Sequence, residues 1–232
     1  ADMILLKQDL HVLHAGVVEG RRTFGNIMKY IMMGTSSNFG NMFSMAGAAL
    51  FLPFLPMLPT QILLNNILYD VSEIPIPMDQ VDTQELSQPR VLDLGFIRNF
   101  MLVIGPISSL FDFLTFYVLL TVLNAQESLF QTGWFIESLC TQVLVIFVIR
   151  TRGNPFKSRP HPLLVITSLS VVGIALTLPL TPLGAQMGFV PPPPYFYGIL
   201  SAMVLAYLCI VELVKRLFYS HATRTSSMTK SA

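Results

Sequence analysis

The sequence predicts an all-α membrane protein, with six transmembrane helices and both termini on the cytoplasmic side. Three observations predict it. The chain is 53% hydrophobic and 12% charged, with a mean hydropathy of +0.62. An ordinary soluble domain carries about 25% charged residues, so the surplus apolar surface needs lipid as its solvent. Six apolar stretches follow one another at 31–52, 58–74, 97–123, 133–149, 163–180 and 195–214, each near the ~20 residues that cross a bilayer. The third observation is charge placement. Lys7, Arg21, Arg22, Lys29, Arg90, Arg98, Arg150, Arg152, Lys157, Arg159, Lys215, Arg216, Arg224 and Lys230 are all 14 basic residues of the chain. Every one falls in residues 1–30, 75–98, 150–162 or 215–232, and the connections 53–57, 124–132 and 181–194 hold none. Basic residues collect on the cytoplasmic side, so an even number of spans with both ends inside follows.

Each element has its own signal. Residues 1–20 contain acids and no long apolar core, which is not a signal peptide. The chain opens on Ala1 without an initiator Met, which suggests a piece of something longer. Pro53, Pro56 and Pro59 make a tight turn between spans one and two, and Pro75 and Pro77 end span two early. Short or broken helices at depth often mark ion sites in transporters, because freed carbonyls act as ligands. Pro191–Pro194 stiffen the last basic-free loop as polyproline II. The polar stretch 220–232 reads as a disordered tail. Cys140 and Cys209 lie in apolar segments and read as small hydrophobes rather than a disulfide.

Two polar clusters interrupt the first two spans. One is Thr35-Ser36-Ser37-Asn38-Phe39-Gly40-Asn41; the other runs from Gln61 through Asn65-Asn66 to Tyr69-Asp70. At 1.5 Å per residue, Asp70 lies about 16 Å inside Pro59, Asn41 about 18 Å inside Pro53 and Asn38 about 22 Å, near the middle of a ~30 Å core. Asn38 and Asn41 are i,i+3, and Asn66, Asp70 and Glu73 follow i,i+4,i+7, so each set shares a helix face. Hard cations take carboxylate and amide oxygens, so Mg²⁺ or Ca²⁺ fits. A lone Asn in a span more often glues helices together by hydrogen bonds. A set that includes Asp70, with no Lys or Arg inside either of the first two spans to neutralise it, favours an ion site. Asn38, Asn41, Asn66 and Asp70 are therefore the candidate ligands.

Three further side chains are candidates for an ion pathway. Glu137, near the basic-free end of span four, and Gln142, deeper in it, suit an entry or exit route. Asp112 among Phe111, Phe113 and Phe116 suits either that role or a structural acid. Glu73 and Glu212 lie near the basic ends, where solvated or snorkelling acids are expected. No nucleophile–base pair, Gly-rich phosphate loop or zinc motif occurs, so the chain carries no catalytic residues of its own. Nor does it show the basic, aromatic-interleaved patch of a nucleic-acid binder.

The same residues resemble a known family. Ala1-Asp2-Met3-Ile4-Leu5-Leu6, followed by Val17 through Tyr30, resembles the end of a P-type ATPase phosphorylation domain entering its fifth transmembrane helix. Ser36-Ser37-Asn38 is similar to that helix's cation segment, and Asn65-Asn66-Ile67-Leu68-Tyr69-Asp70 to the helix-six motif. The stretches 104–112, 130–137 and 181–185 look most like the bacterial magnesium-transporting branch. The resemblance implies that residues 1–30 end the phosphorylation domain and stalk. It makes residues 31–219 helices five to ten of a ten-helix pump in the bacterial inner membrane, surrounded by lipid. It carries the transport residues over to Asn38, Asn66, Asp70 and Asn41. Calcium pumps of the superfamily have an acid where this chain has Asn41 and a Thr where it has Tyr69, which implies one ion, Mg²⁺, as cargo. The Asp-Lys-Thr-Gly-Thr, Thr-Gly-Glu, Gly-Asp-Gly and Pro-Glu-Gly motifs do not occur in the 232 residues. ATP would therefore act only through a missing N-terminal part of the pump, and the chain alone should hydrolyse none. A free-standing six-helix passive carrier, or a non-transporting partner that regulates a pump, are the alternatives.

Overall fold

The computed structural model describes residues 9–82, 86, 87, 89 and 91–229, with side chains to Ser220. The resemblance carried by residues 1–6, together with Lys7, Arg90 and Lys230, lies outside them. Among the described residues the fold is all-helical. Six long helices account for most of it: α1 (Leu10–Ala48), α2 (Pro59–Glu73), α3 (Leu94–Tyr117), α4 (Glu127–Leu144), α5 (Pro162–Thr177) and α6 (Pro194–Thr229).

The boundaries follow local chemistry. Asp9 caps α1 by accepting from the His11 amide at 2.8 Å, and Asp93 caps α3 by accepting from Phe96 at 3.0 Å; each meets an amide that the first turn leaves unpaired. Pro59 and Pro162 occupy the first turns of α2 and α5, where a missing N–H costs nothing. α2 stops at Glu73, and a 3₁₀ turn over Ile76–Met78 follows between the prolines. α3 contains Pro106 and passes into a wide π-turn over Val118–Val122. Asn124 then reverses the chain with φ at +47°, a left-handed conformation that Asn tolerates. α6 continues to Thr229 through residues for which composition predicts a disordered tail.

Among the described residues four helical segments are long and apolar enough to cross a membrane: Leu94–Val122, Glu127–Ile149, Pro162–Leu180 and Pro194–Ser220. α1 and α2 are not among them. α2 is only 15 residues long, and α1 is diluted by the polar cluster and its charged first half.

α4 is the axis of the bundle. Of its span 89% is buried, against 22% for α6, so α6 keeps a lipid-facing surface while α4 meets protein on all sides. Trp134, Phe135 and Leu139 of α4 centre one apolar core with Phe116, Phe130, Leu68, Val171 and Leu200. A second core at the basic end gathers Met33, Phe100, Ile104, Ile146, Leu164 and Val211. α1 crosses α3 closely because glycines face the contact. A Cβ on Gly105 would stand 2.6 Å from Phe39 Cδ1, and one on Gly40 would stand 3.0 Å from Ser108 Cβ. Small residues let helix backbones approach in lipid, and Ser109 uses the closeness to donate to the Gly40 carbonyl at 2.9 Å.

The ends that carry basic residues meet. Asp79, after α2, accepts from Lys29 of α1 at 2.8 Å and from Arg150, beyond α4, at 2.9 and 3.0 Å. The start of α5 joins through the backbone amide of its cap, His161, which donates to Asp79 at 3.1 Å. Lys215 of α6 donates to the carbonyls of Val148 and Thr151. Burial raises the Asp79 pKa, but hydrogen bonds from Arg150 and Lys29 outweigh it and hold the carboxyl below its ordinary value.

Candidate cation site

α1 and α2 each present two polar faces, and only one of them meets the rest of the bundle. α2 packs on α4 and α5. Its buried side carries Gln61, Asn65, Tyr69 and Glu73, while Asn66 and Asp70 are exposed on the other side. On α1, Ser36 and Ser37 are buried and Asn38 is exposed. The candidate ligands Asn38, Asn66 and Asp70 thus lie on open surface beside α1 and α2, away from the apolar cores.

They do not share one cavity. Asp70 borders a cavity of about 510 Å³ between α1 and the end of α2, with Asn26, Tyr30 and Glu73. Asn38 borders a shallower one with Thr35, Phe39 and Met101, on the α3 side of α1. Tyr30 lines both. Further inside, the Ser37 hydroxyl of α1 neighbours the Tyr69 hydroxyl of α2.

Asn41 belongs to a different group. Its Oδ1 accepts from Ser138 Oγ at 3.3 Å, and Ser138 accepts in turn from Gln142 Nε2 at 2.5 Å. A candidate ligand and a candidate pathway residue are therefore joined in a chain from α1 to α4. Asp112 sits next to it, buried, accepting from Ser44 Oγ at 2.5 Å and from Trp134 Nε1 at 2.8 Å. It ties α1, α3 and α4 together. Glu137 is 1% exposed beside Asp112 and Thr115, and neither of its carboxyl oxygens makes a hydrogen bond of ordinary geometry.

Glu73 corrects the sequence reading. It is not a solvated or snorkelling acid but is 4% exposed, with Oε1 unpartnered and the Tyr69 hydroxyl beside it. The i,i+4,i+7 spacing put Glu73 on the face of Asn66 and Asp70, but it turns inward with Asn65 and Tyr69 while those two stay exposed. Asn65, buried with its Oδ1 unpartnered, was missed for the same reason. Among the described residues no three of His, Cys, Asp or Glu come close enough to hold a metal ion. The available oxygens are amides, hydroxyls and single carboxylates, which suit a hard cation that keeps part of its water shell.

The comparison with known proteins decides the family. The sequence profile described as cation transporting ATPase, C-terminus, matches residues 54–217, well over half of the chain. The chain belongs to that family. It is also similar to the P-type magnesium-transporting ATPase 1 of Salmonella typhimurium strain LT2, at 44% identity over 95% of this chain and 25% of the relative. To the protein of the same name in Escherichia coli K12 it is 45% identical over 95% of this chain and 25% of the relative. The chain thus spans about a quarter of the length of these relatives. Of the candidate ligands, Asn66 and Asp70 lie within the part that the family profile matches, and Asn38 and Asn41 precede it.

Proposed function

We propose that this chain is the membrane part of an ATP-driven Mg²⁺ transporter, and that its α1–α2 surface supplies part of an intramembrane cation site. In this reading the chain crosses the bacterial inner membrane six times, with its basic ends cytoplasmic. α1 and α2 cross as helices sheltered by a further set of helices rather than by lipid. The observation that carries the reading is Asp70. It is a carboxylate in the last turn of α2, exposed on the face that α3–α6 leave uncovered, one helical turn from Asn66. Lipid does not solvate such a group, so protein and a cation must.

The roles follow from the chemistry of each group. Asp70 supplies the formal charge, and Asn66 and Asn38 supply neutral carbonyl oxygens. Mg²⁺ dehydrates reluctantly and is bound by one or two carboxylates plus water, which suits this sparse donor set. Glu137, Gln142 and Asn41 form a second polar row in the bundle that serves as the pathway. Nucleotide chemistry belongs to the remaining three quarters of the pump. The names of the relatives and their identity over 95% of this chain support the cargo.

The test is complementation of a bacterial strain that lacks Mg²⁺ uptake. A full-length pump carrying this chain is expected to restore growth at low Mg²⁺, whereas the 232-residue chain alone restores none and hydrolyses no ATP. Growth or Mg²⁺-dependent ATP hydrolysis with the chain alone would overturn the assignment.

A further inference from the structure

The cavity between α1 and the end of α2 holds acceptors that the bundle leaves unused. Asn26 is 3% exposed. Both protons of its amide are committed, Nδ2 donating to the Pro77 carbonyl at 2.9 Å and to the Asp79 carbonyl at 3.0 Å. Turning the amide over would set oxygen against two carbonyls, so Oδ1 is fixed as an acceptor, and it has no partner. Glu73, 4% exposed, lines the same cavity with Oε1 unpartnered. Asp70 lies one turn deeper along α2, and Tyr30 closes the α1 side.

Among the described residues, no basic side chain pairs with Glu73 or Asp70; Lys29, the basic group closest along α1, is engaged by Asp79 and the Gln80 carbonyl. Two carboxylates, a fixed amide oxygen and a phenol make an acceptor-rich wall. Of these, the buried and unpartnered oxygens of Asn26 and Glu73 are costly. Their natural occupant is a cation or its water shell.

At ~30 Å³ per water, six waters and their ion take roughly 200 Å³, and the cavity offers about 510 Å³. That is room for a divalent cation together with its water shell. We propose that this cavity is a vestibule at the cytoplasmic end of the transport path, in which Glu73 and Asn26 hold the water shell of a divalent cation one step from Asp70. This rests on the reading of Asp70 as a ligand of the transported ion. Hydrogen bonds from coordinated water to Glu73 and Asn26 would draw the ion in or out before it exchanges water for Asp70 and Asn66. Because Asn26 is clamped by the backbone of the loop after α2, the vestibule is built jointly by α1 and that loop.

The test uses the full-length pump in inside-out vesicles, with Cys140→Ser, Cys209→Ser and any other cysteines replaced. Glu73→Cys is expected to react with a small cationic methanethiosulfonate reagent. Mg²⁺ at about twice its dissociation constant should slow that reaction roughly threefold by mass action, and Na⁺ at equal ionic strength should not. In a cysteine-containing pump, Glu73→Gln should raise the Mg²⁺ concentration for half-maximal turnover, a shift that mere loss of folded protein does not produce. An unreactive thiol would mean that a neighbouring protein segment fills the cavity, and an unchanged rate in Mg²⁺ would mean that no cation resides there; either result overturns the vestibule. Normal transport by Asp70→Asn, with Mg²⁺ still protecting the Glu73→Cys thiol, would instead overturn the site and leave the vestibule standing.

Discussion

Trp134 and Ser44 determine what Asp112 is. Their donors, at 2.8 and 2.5 Å, give this fully buried carboxyl two direct hydrogen bonds. Trp134→Phe keeps most of the ring, including its edge contact with Phe116 at 4.9 Å, but removes the N–H donor. The loss should be about 1–2 kcal/mol, above the ~0.6 average for interhelical hydrogen bonds in membranes because the acceptor is a buried acid. Thermal unfolding of the full-length pump in detergent checks this, and an unchanged midpoint would remove Asp112 from its structural role. At this scale the sequence was partly legible. A carboxylate among apolar residues announces itself, so Asp70, Asp112 and Glu137 could be picked out. Which acids are satisfied could not be, because the donors to Asp112 come from residues 68 positions before it and 22 after it.

Between elements, Asp79 is the principal connector at the basic end. It is 1% exposed and faces Lys29 of α1 and Arg150 beyond α4, whose side chains are 5% and 2% exposed. Asp79→Ala leaves both cations buried without their carboxylate, a change that typically costs about 3–5 kcal/mol. The same measurement on Asp79→Asn should show a smaller but clear loss. Equal stability of Asp79→Ala and the parent would contradict this account of the end of the bundle. The pH dependence has a definite sign. Arg150 and Lys29 outweigh burial and lower the folded-state pKa of Asp79. Its contribution is therefore complete above the unfolded value of about 3.9 and is lost only as pH falls through the lower folded value. Between about pH 5 and 8 this group should leave stability unchanged. Helix boundaries marked by prolines were the most legible elements, since a proline acts locally. The inward-facing side of α2 was not, because a helical period of about 3.6 residues gives two opposed polar faces without saying which one α4 and α5 cover.

For the whole molecule, the charge pattern predicts which ends share a compartment. The structure brings Lys29, Arg150 and Lys215 to one end through Asp79 and the carbonyls of Val148 and Thr151. In the full-length pump, Asn124→Cys should be labelled by an impermeant reagent from outside the cell and Ser158→Cys only from inside; the reverse pattern would invert the proposed topology. The membrane character was legible from composition, yet among the described residues four helices meet the length and apolarity of a span on their own. α1 falls short because the polar cluster that the proposed function requires dilutes it, and α2 because it stops after 15 residues. That gives the central claim its sharpest test, which is Mg²⁺ transport by the full-length pump in reconstituted vesicles with Asp70→Asn. Asparagine keeps the size of the side chain and removes its only charge, leaving a divalent ion with neutral ligands in a poorly solvated site. Transport should be abolished in protein that inserts and folds normally, while Asn66→Ala and Asn38→Ala should weaken apparent Mg²⁺ affinity and retain turnover. Wild-type rate and affinity in Asp70→Asn would contradict the account and move the site to Glu137 and Asp112.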